Sequence, residues 1–174
     1  MKRIQHLVSD PTYQEYIRRN VEQEKGDSHC DHDMSHHFDV ARITYILILE
    51  QNELNYFVKE AGLSSRLAAK EVIYAAGLLH DVGLWQQYIS GECHATVSAQ
   101  LARKMLPEAG FGAHEIDIIC RAVFEHSSPS REMSFLGERL HRAGNLARNC
   151  AVCEHFDNCS KPNTREFSIN GFAY

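Results

Sequence analysis

The chain has 174 residues, of which 44% are hydrophobic and 24% charged, so we expect one domain with a buried core and exclude general disorder. A formal net charge of -5 argues against broad electrostatic binding of nucleic acid. The N-terminus, MKRIQHLVSDPTY, has no apolar signal segment, and no later window is apolar enough to span a bilayer. We therefore expect a cytoplasmic protein without membrane contact.

Helical periodicity follows most of the chain, and no strand pattern competes with it. Asp10 before Pro11 is typical of a helix start and predicts a helix over 11–25. A second helix is predicted over 38–49, with Asp33 or Ser35 as its N-cap. Glycine, proline and serine signals bound further predicted helices over 52–61, 64–80, 92–106, 114–125 and 134–148, whereas 84–91 is predicted to be a loop. The predicted fold class is therefore all-α.

The segment 73–84, IYAAGLLHDVGL, is an apolar run that ends abruptly in His80 and Asp81. Aspartate is rarely buried unless it is paired or binds a metal. A helix here would present an imidazole and a carboxylate side by side, and the carboxylate could bridge two divalent ions. The alternative for an isolated His-Asp pair is a polar cap that follows an apolar helix.

Three further histidines, His36, His94 and His126, lie at the ends of predicted helices. Together with the doublet they resemble the HD-domain superfamily of metal-dependent phosphohydrolases. The sequence HDMSH over 32–36 resembles the family's opening motif, and LHDVG over 79–83 resembles its signature doublet. The resemblance covers about residues 29–148 and is more specific than its separate motifs. It implies a single HD-domain-like helical bundle over 1–149.

The resemblance also implies a site. Its metal ligands would be His36, His80, Asp81, His94 and His126, with His80 and Asp81 also catalytic. The expected cofactor is a divalent transition metal, Fe, Mn or Zn, with Mg as a further option. The expected substrate is a nucleotide or another small phosphorylated metabolite.

Three of these histidines have other interpretations. His37 beside His36 could be the ligand instead, although the family spacing favours His36 and leaves His37 facing solvent or supporting a ligand. His94 could be a simple N-terminal helix residue. His126 could interact with the dipole at the end of its helix.

Two positions depart from the family pattern. Gly144 stands where the family's last helix carries a ligand Asp, so affinity for at least one ion should fall, unless His141 or Asn145 substitutes. Leu84 stands where many members carry Lys. Both departures favour the rival hypothesis of a degenerate HD domain that senses a metal or nucleotide without turnover. Arg42, Lys70, Arg139 and Arg142 are available to bind phosphate, and the sequence does not select among them.

A Cys-containing C-terminal tail is predicted over 150–174. Cys150, Cys153 and Cys159 could bind Zn or an iron–sulfur cluster, with Cys30, His155 or a partner completing the site. The alternative is a set of free thiols. A third hypothesis is an interaction protein whose tail binds a partner, and a homo-oligomer is left open.

Overall fold

The structure is a computed structural model that describes residues 1–24 and 32–148. The secondary structure of these residues is helical, which confirms the predicted all-α class. The helices are α1 (Lys2–Ser9), α2 (Pro11–Glu24), α3 (Met34–Glu50), α4 (Leu54–Glu60), α5 (Arg66–Leu79), α6 (Leu84–Ser90), α7 (His94–Met105), α8 (Ala113–Glu125) and α9 (Phe135–Leu146). Within the two described ranges, no helix combines the length and the apolar character that crossing a bilayer requires.

Helix α5 is the centre of the core. Its residues Val72, Ile73, Leu78 and Leu79 are fully buried, as expected for a helix that is apolar on nearly every side. Helices α3 and α8 both pack against it, and α9 packs against α3 and α8. A Cβ atom at Gly77 would lie 2.4 Å from the Cα atom of Ala41, so α3 can approach α5 this closely only because position 77 has no side chain.

Polar caps fix where several helices begin. The Asp33 carboxylate accepts the backbone N–H of His36 at 3.0 Å, which selects Asp33 over Ser35 as the cap of α3. Ser65 caps α5 by accepting the N–H of Ala68 at 3.1 Å, one residue later than the predicted Ser64. Ser134 caps α9 in the same way. These caps set the position along the chain at which each functional helix starts.

The prediction of a loop over 84–91 is wrong, because residues 84–90 form α6. The Asn20 amide oxygen accepts the N–H of Trp85 at 2.8 Å, and the Leu84 side chain is buried, so contacts distant in sequence stabilise this short helix. Helix α1 was not predicted at all. It buries Ile4 and Leu7, which lie one helical turn apart, and eight residues give too short a pattern to recognise.

Candidate metal centre

The carboxylate of Asp81 lies in the turn after α5 and is nearly enclosed, with 9% of its side chain exposed. Its Oδ2 atom lies 3.0 Å from Nε2 of His80 and 3.7 Å from Nε2 of His32. Its Oδ1 atom lies 3.1 Å from Nε2 of His126 and 3.3 Å from Nε2 of His94. Each carboxylate oxygen therefore faces its own pair of imidazole nitrogens. We call this group, together with His36, the Asp81 cluster.

Two sets of donor atoms in the Asp81 cluster are compact enough to hold one ion each. One set comprises His32, His36 and Asp81, and the other comprises Asp81, His94 and His126; the donor atoms within each set lie within 4.8 Å of one another. Asp81 belongs to both sets. A carboxylate shared in this way can bridge two cations.

Two rings of the cluster are oriented by backbone carbonyl groups. Nδ1 of His80 lies 2.7 Å from the carbonyl oxygen of Gly77, and Nδ1 of His126 lies 2.5 Å from that of Val123. A carbonyl oxygen can only accept, so Nδ1 is the donor in both contacts, and in a neutral ring Nε2 then carries a lone pair. That lone pair faces a carboxylate oxygen, which is also an acceptor. A bound cation would satisfy both acceptors, so these residues fit a metal.

The rings of His32 and His94 follow the same arrangement with side-chain partners. Nδ1 of His94 lies 2.7 Å from Oε1 of Gln87, and Nδ1 of His32 lies 2.5 Å from Oε1 of Glu24. In each case Nδ1 faces an oxygen atom of the protein and Nε2 faces Asp81. Metal-binding histidines are commonly oriented by a contact of this kind on the other ring nitrogen.

Burial favours the neutral form of two imidazoles in the cluster, which lie near an ionised carboxylate. Burial, reinforced by the neighbouring His80, lowers the pKa of His36 to about 2, and burial lowers the pKa of His94 to about 4. Burial opposes ionisation of Asp81, but the surrounding imidazoles, of which the adjacent His80 acts most strongly, hold its pKa well below the usual range. Neutral imidazole and carboxylate are the forms that ligate metals.

His32 differs from the other rings. Burial opposes its protonation, but the hydrogen bond to Glu24 and the charge of Asp81 outweigh burial and raise its pKa. Two carboxylates, rather than one, therefore act on this ring.

Helices α2 and α7 hold the turn that carries Asp81. The Asn20 side chain, which is fully buried, donates from Nδ2 to the backbone carbonyl of Asp81 at 2.8 Å. The Tyr13 hydroxyl donates to the carbonyl of Leu78 at 3.1 Å, and the Ser98 hydroxyl accepts the N–H of Gly83 at 2.9 Å. Residues from both sides of the turn thus fix the direction of the carboxylate.

Comparison with known proteins shows the family of this chain. The family model described as HD domain matches residues 33–160, which is most of the chain. The chain belongs to the HD-domain family. Its similarity to an uncharacterized protein of Clostridium beijerinckii is 30% identity over 160 residues, covering 92% of each chain.

The chain is also similar to a ribonuclease and to a solved structure. The chain is 27% identical to ribonuclease Y of Lactobacillus gasseri over 126 residues, which are 68% of the chain but span only 22% of that relative. Among solved structures it is similar to the crystal structure of a predicted HD superfamily hydrolase from an uncultured Thermotogales bacterium. That likeness has a TM-score of 0.60 at 21% identity, covers 92% of this chain and 83% of the other, and supports the helical HD fold.

The structure of this HD domain brings all five predicted ligands to one place. His36, Asp81, His94 and His126 belong to the two donor sets. His80 contacts Asp81 but belongs to neither set among the described residues, and the assignment of all five as ligands stays a prediction. His32 and Glu24 were not predicted. The signal that could have found His32 is its place as the first residue of the HDMSH motif. It lies before the start of α3, so helical spacing does not relate it to His36. His37 is fully buried rather than solvent-facing, and its Nδ1 lies 2.7 Å from the carbonyl oxygen of Leu78.

Helix α9, the last helix among the described residues, places no carboxylate in the two donor sets. A Cβ atom at Gly144 would meet nothing within 4 Å, so the position is open. Nδ1 of His141 lies 2.6 Å from the carbonyl oxygen of His126, and Asn145 contacts the other ring nitrogen of His141 at 3.3 Å. His141 belongs to neither donor set among the described residues.

The predicted Cys site lies outside the described residues. Cys150, Cys153 and Cys159 follow the last described residue, and Cys30 falls between the two described ranges. A metal at the tail therefore stays a prediction.

Proposed function

We propose that this HD domain is a metal-dependent phosphohydrolase that acts on a nucleotide or another small phosphoester. The observation that supports this most strongly is the carboxylate of Asp81, whose two oxygens each face a separate pair of imidazole nitrogens. Divalent ions bound at such a site supply an activated water and an electrophile for the phosphoryl group. Family membership points to the same chemistry.

The role of the protein residues in this proposal is to hold and orient the donor atoms that would bind the metal ions. Asp81 would contribute a carboxylate oxygen to each of the two donor sets, and the carbonyl contacts at Gly77 and Val123 orient the rings of His80 and His126. In the proposed hydrolysis the oxygen of a water molecule bonds to phosphorus and the ester P–O bond breaks, which gives an alcohol and a phosphate. A site whose donors are fixed in advance needs little reorganisation during this step.

Among the cations of the described residues, we favour Arg148 for binding the phosphoryl oxygens. A chain of contacts connects it to the Asp81 cluster: its hydrogen-bond partner Asn145 lies 3.3 Å from Nε2 of His141, and Nδ1 of His141 lies 2.6 Å from the carbonyl oxygen of His126. Its Nη1 atom donates to Asn145 at 3.0 Å, whereas its buried Nε atom has no hydrogen-bond partner among the described residues. A planar guanidinium with a donor to spare suits a phosphate group.

Three of the cations suggested by the sequence have other partners. Arg139 donates to both carboxylate oxygens of Glu53, at 2.8 and 2.9 Å, and Arg42 donates to Asp39 at 3.0 Å. The Lys70 ammonium lies 4.9 Å from the ring centroid of Tyr45 and 5.7 Å from that of Tyr74. These contacts support a choice of Arg148 over Arg42, Lys70 and Arg139.

The test is a hydrolysis assay of the full chain against nucleotides, sugar phosphates and a short RNA, with Mn²⁺, Fe²⁺, Mg²⁺ or Zn²⁺ added. RNA belongs in the panel because ribonuclease Y is among the relatives. Metal-dependent release of phosphate or of cleaved ester from one substrate class, lost in Asp81→Asn, is the expected result. Tight metal or nucleotide binding without turnover of any substrate would overturn the proposal in favour of the sensor.

Arg148 can be tested in the same assay. Arg148→Gln should raise KM, because it removes a phosphate contact. It should retain its metal, because every donor of the Asp81 cluster stays in place. Arg142→Gln is the matched control, since Arg142 is exposed on α9. Equal KM values for the two variants would exclude Arg148 as the phosphate-binding residue.

A further inference from the structure

Glu24 is a buried carboxylate that comes from outside the segment matched by the family model. It is the last residue of α2, whereas the match begins at residue 33. Only 4% of its side chain is exposed. Burying a carboxylate is costly unless it is hydrogen-bonded to strong donors, so its contacts need an explanation.

Both oxygens of Glu24 contact the same residue. Oε2 accepts the backbone N–H of His32 at 2.9 Å, and Oε1 lies 2.5 Å from Nδ1 of the His32 ring. Two contacts fix both the backbone and the ring of His32, so the ring cannot flip. The fixed ring directs Nε2 toward Oδ2 of Asp81, at 3.7 Å, and its centroid lies 4.9 Å from that of His36.

The charge of the cluster explains why a second carboxylate would be useful. Neutral imidazoles add no charge, so the direct donors within residues 1–24 and 32–148 together carry only the single negative charge of Asp81. One divalent ion already exceeds that charge, and two exceed it by three. Gly144 brings no carboxylate from the last helix, and His141 lies in neither donor set.

We propose that Glu24 and His32 form a carboxylate–histidine pair that compensates for the carboxylate missing at Gly144. In this pair His32 is a further metal ligand beside His36 and Asp81. Glu24 is a positioning residue: its orientation of the ring and its negative charge both act on the metal through His32. The proposal rests on the proposed function only to the extent that the Asp81 cluster binds a metal.

The test is titration of the metal-free full chain with Mn²⁺, followed by electron paramagnetic resonance and calorimetry. The variants are Glu24→Ala, His32→Ala and the double variant, with Glu22→Gln as the control. Glu22 also lies on α2, two residues before Glu24, but it is exposed and pairs with Arg18. The control therefore removes a carboxylate charge from the same part of the helix and leaves the contact between Glu24 and His32 in place. Glu24→Ala should weaken the tighter Mn²⁺ site by about 10- to 100-fold, the usual effect of losing such a supporting contact.

The double variant separates a positioning role from a merely structural one. If Glu24 acts through His32, the double variant should bind Mn²⁺ no more weakly than His32→Ala. Without the His32 ring, Glu24 has no ligand to orient, so its removal should cost no further affinity. Glu24→Gln, which keeps the shape of the side chain, should also weaken binding while the melting temperature of the metal-free protein stays close to that of the wild type. Glu22→Gln should bind as the wild type does.

Two results would overturn the proposal that Glu24 and His32 act as a pair. One is an unchanged Mn²⁺ affinity in folded Glu24→Gln and Glu24→Ala; the other is losses that multiply in the double variant. Failure of the proposed function looks different, because the wild type would then bind Mn²⁺ without hydrolysing any substrate of the panel, while the Mn²⁺ affinities of the Glu24 variants would still test the pair. Substituting Co²⁺ gives a second readout, since loss of an imidazole ligand changes its visible spectrum while a distant structural change does not.

Discussion

Two polar clusters join the helices of this protein, and they differ in how their charges are balanced. The first comprises Arg3, Glu71 and Glu115 and is here called the Arg3 cluster. Arg3 of α1 donates to Glu71 of α5 at 2.7 Å and to Glu115 of α8 at 2.6 Å. Its guanidinium also lies 4.3 Å from the ring centroid of Phe111. Donors face acceptors throughout, so this cluster needs nothing from outside.

The Asp81 cluster joins α3, α7 and α8 to the turn after α5. In this cluster, hydrogen-bond acceptors face other hydrogen-bond acceptors. The oriented Nε2 atoms of His80 and His126 point at carboxylate oxygens of Asp81. A bound cation would complete this arrangement, whereas the Arg3 cluster is complete already. Experiments should therefore distinguish the two clusters. The Arg3 cluster should stabilise the fold with or without metal, whereas the contribution of the Asp81 cluster to stability should increase with the amount of bound metal.

The largest effect is expected from Asp81→Asn. Loss of the shared carboxylate removes a donor from both donor sets and the only negative charge among the direct donors that the described residues supply. Loss of a supporting contact typically costs about 10- to 100-fold in metal affinity, so loss of the shared ligand should cost at least about 100-fold in affinity and in hydrolysis. Metal content by mass spectrometry and the hydrolysis assay measure both.

The control for Asp81→Asn is Asp117→Asn. Asp117 is exposed and pairs with Arg103 at the surface, so its loss should change neither metal content nor activity. Undiminished metal in Asp81→Asn would contradict the assignment of the Asp81 cluster as the metal centre.

Metal removal should destabilise the protein by an amount set by the free metal concentration. A ligand at about 100 times its Kd stabilises the folded state by about 2.7 kcal/mol. For a chain of this size, that corresponds to a rise in melting temperature of about 5–10 °C. Thermal melts with Mn²⁺ and with EDTA measure the difference, which Asp81→Asn should abolish. An equal Mn²⁺ shift in Asp81→Asn would mean that the metal stabilises another part of the chain.

Arg3→Met should lower stability with and without metal to the same extent. It leaves the carboxylate of Glu71, whose side chain is 9% exposed, without its guanidinium partner, at a cost of about 1–3 kcal/mol. The Mn²⁺ shift should be unchanged, because distant and independent sites contribute additively. Arg103→Met is the control; its pair with Asp117 is exposed, so its melting temperature should hardly change. Loss of the Mn²⁺ shift in Arg3→Met would show that the two clusters are coupled.

The sequence predicted the fold wherever helices were long and marked by caps or glycines. Helices α3, α5, α7, α8 and α9 begin and end within a few residues of the predicted bounds. The failures were α1 and α6, which are short. Short helices depend on contacts such as that between Asn20 and Trp85, which local periodicity does not encode.

The candidate site was predictable only where a residue belonged to a motif. The family resemblance singled out His36, His80, Asp81, His94 and His126, which the fold brings together. Glu24 could not be found in this way, because its contact with His32 depends on how α2 packs and not on a spacing shared with the motif. Arg148 was missed for a similar reason, since only the fold places its charge near His32.

The smallest effect is expected from Gly144→Asp. The new side chain meets no steric obstacle, because a Cβ atom there has no neighbour within 4 Å. Helix propensity changes by only about a few tenths of a kcal/mol, in favour of Asp over Gly. The added carboxylate should tighten Mn²⁺ binding and raise hydrolysis several-fold, because it supplies a hard oxygen ligand and a negative charge. Calorimetry and the hydrolysis assay measure the two gains, and Gly144→Asn controls for shape without charge.

The size of that gain also depends on Glu24. If Glu24 already compensates for the missing carboxylate, Gly144→Asp should improve Mn²⁺ binding modestly in the wild type and more strongly in a Glu24→Gln background, since each acid then replaces the other. Equal gains in both backgrounds would mean that the two carboxylates act independently. No gain in either background would mean that position 144 does not face the ions, and that the last helix of this HD domain is placed differently from the family pattern.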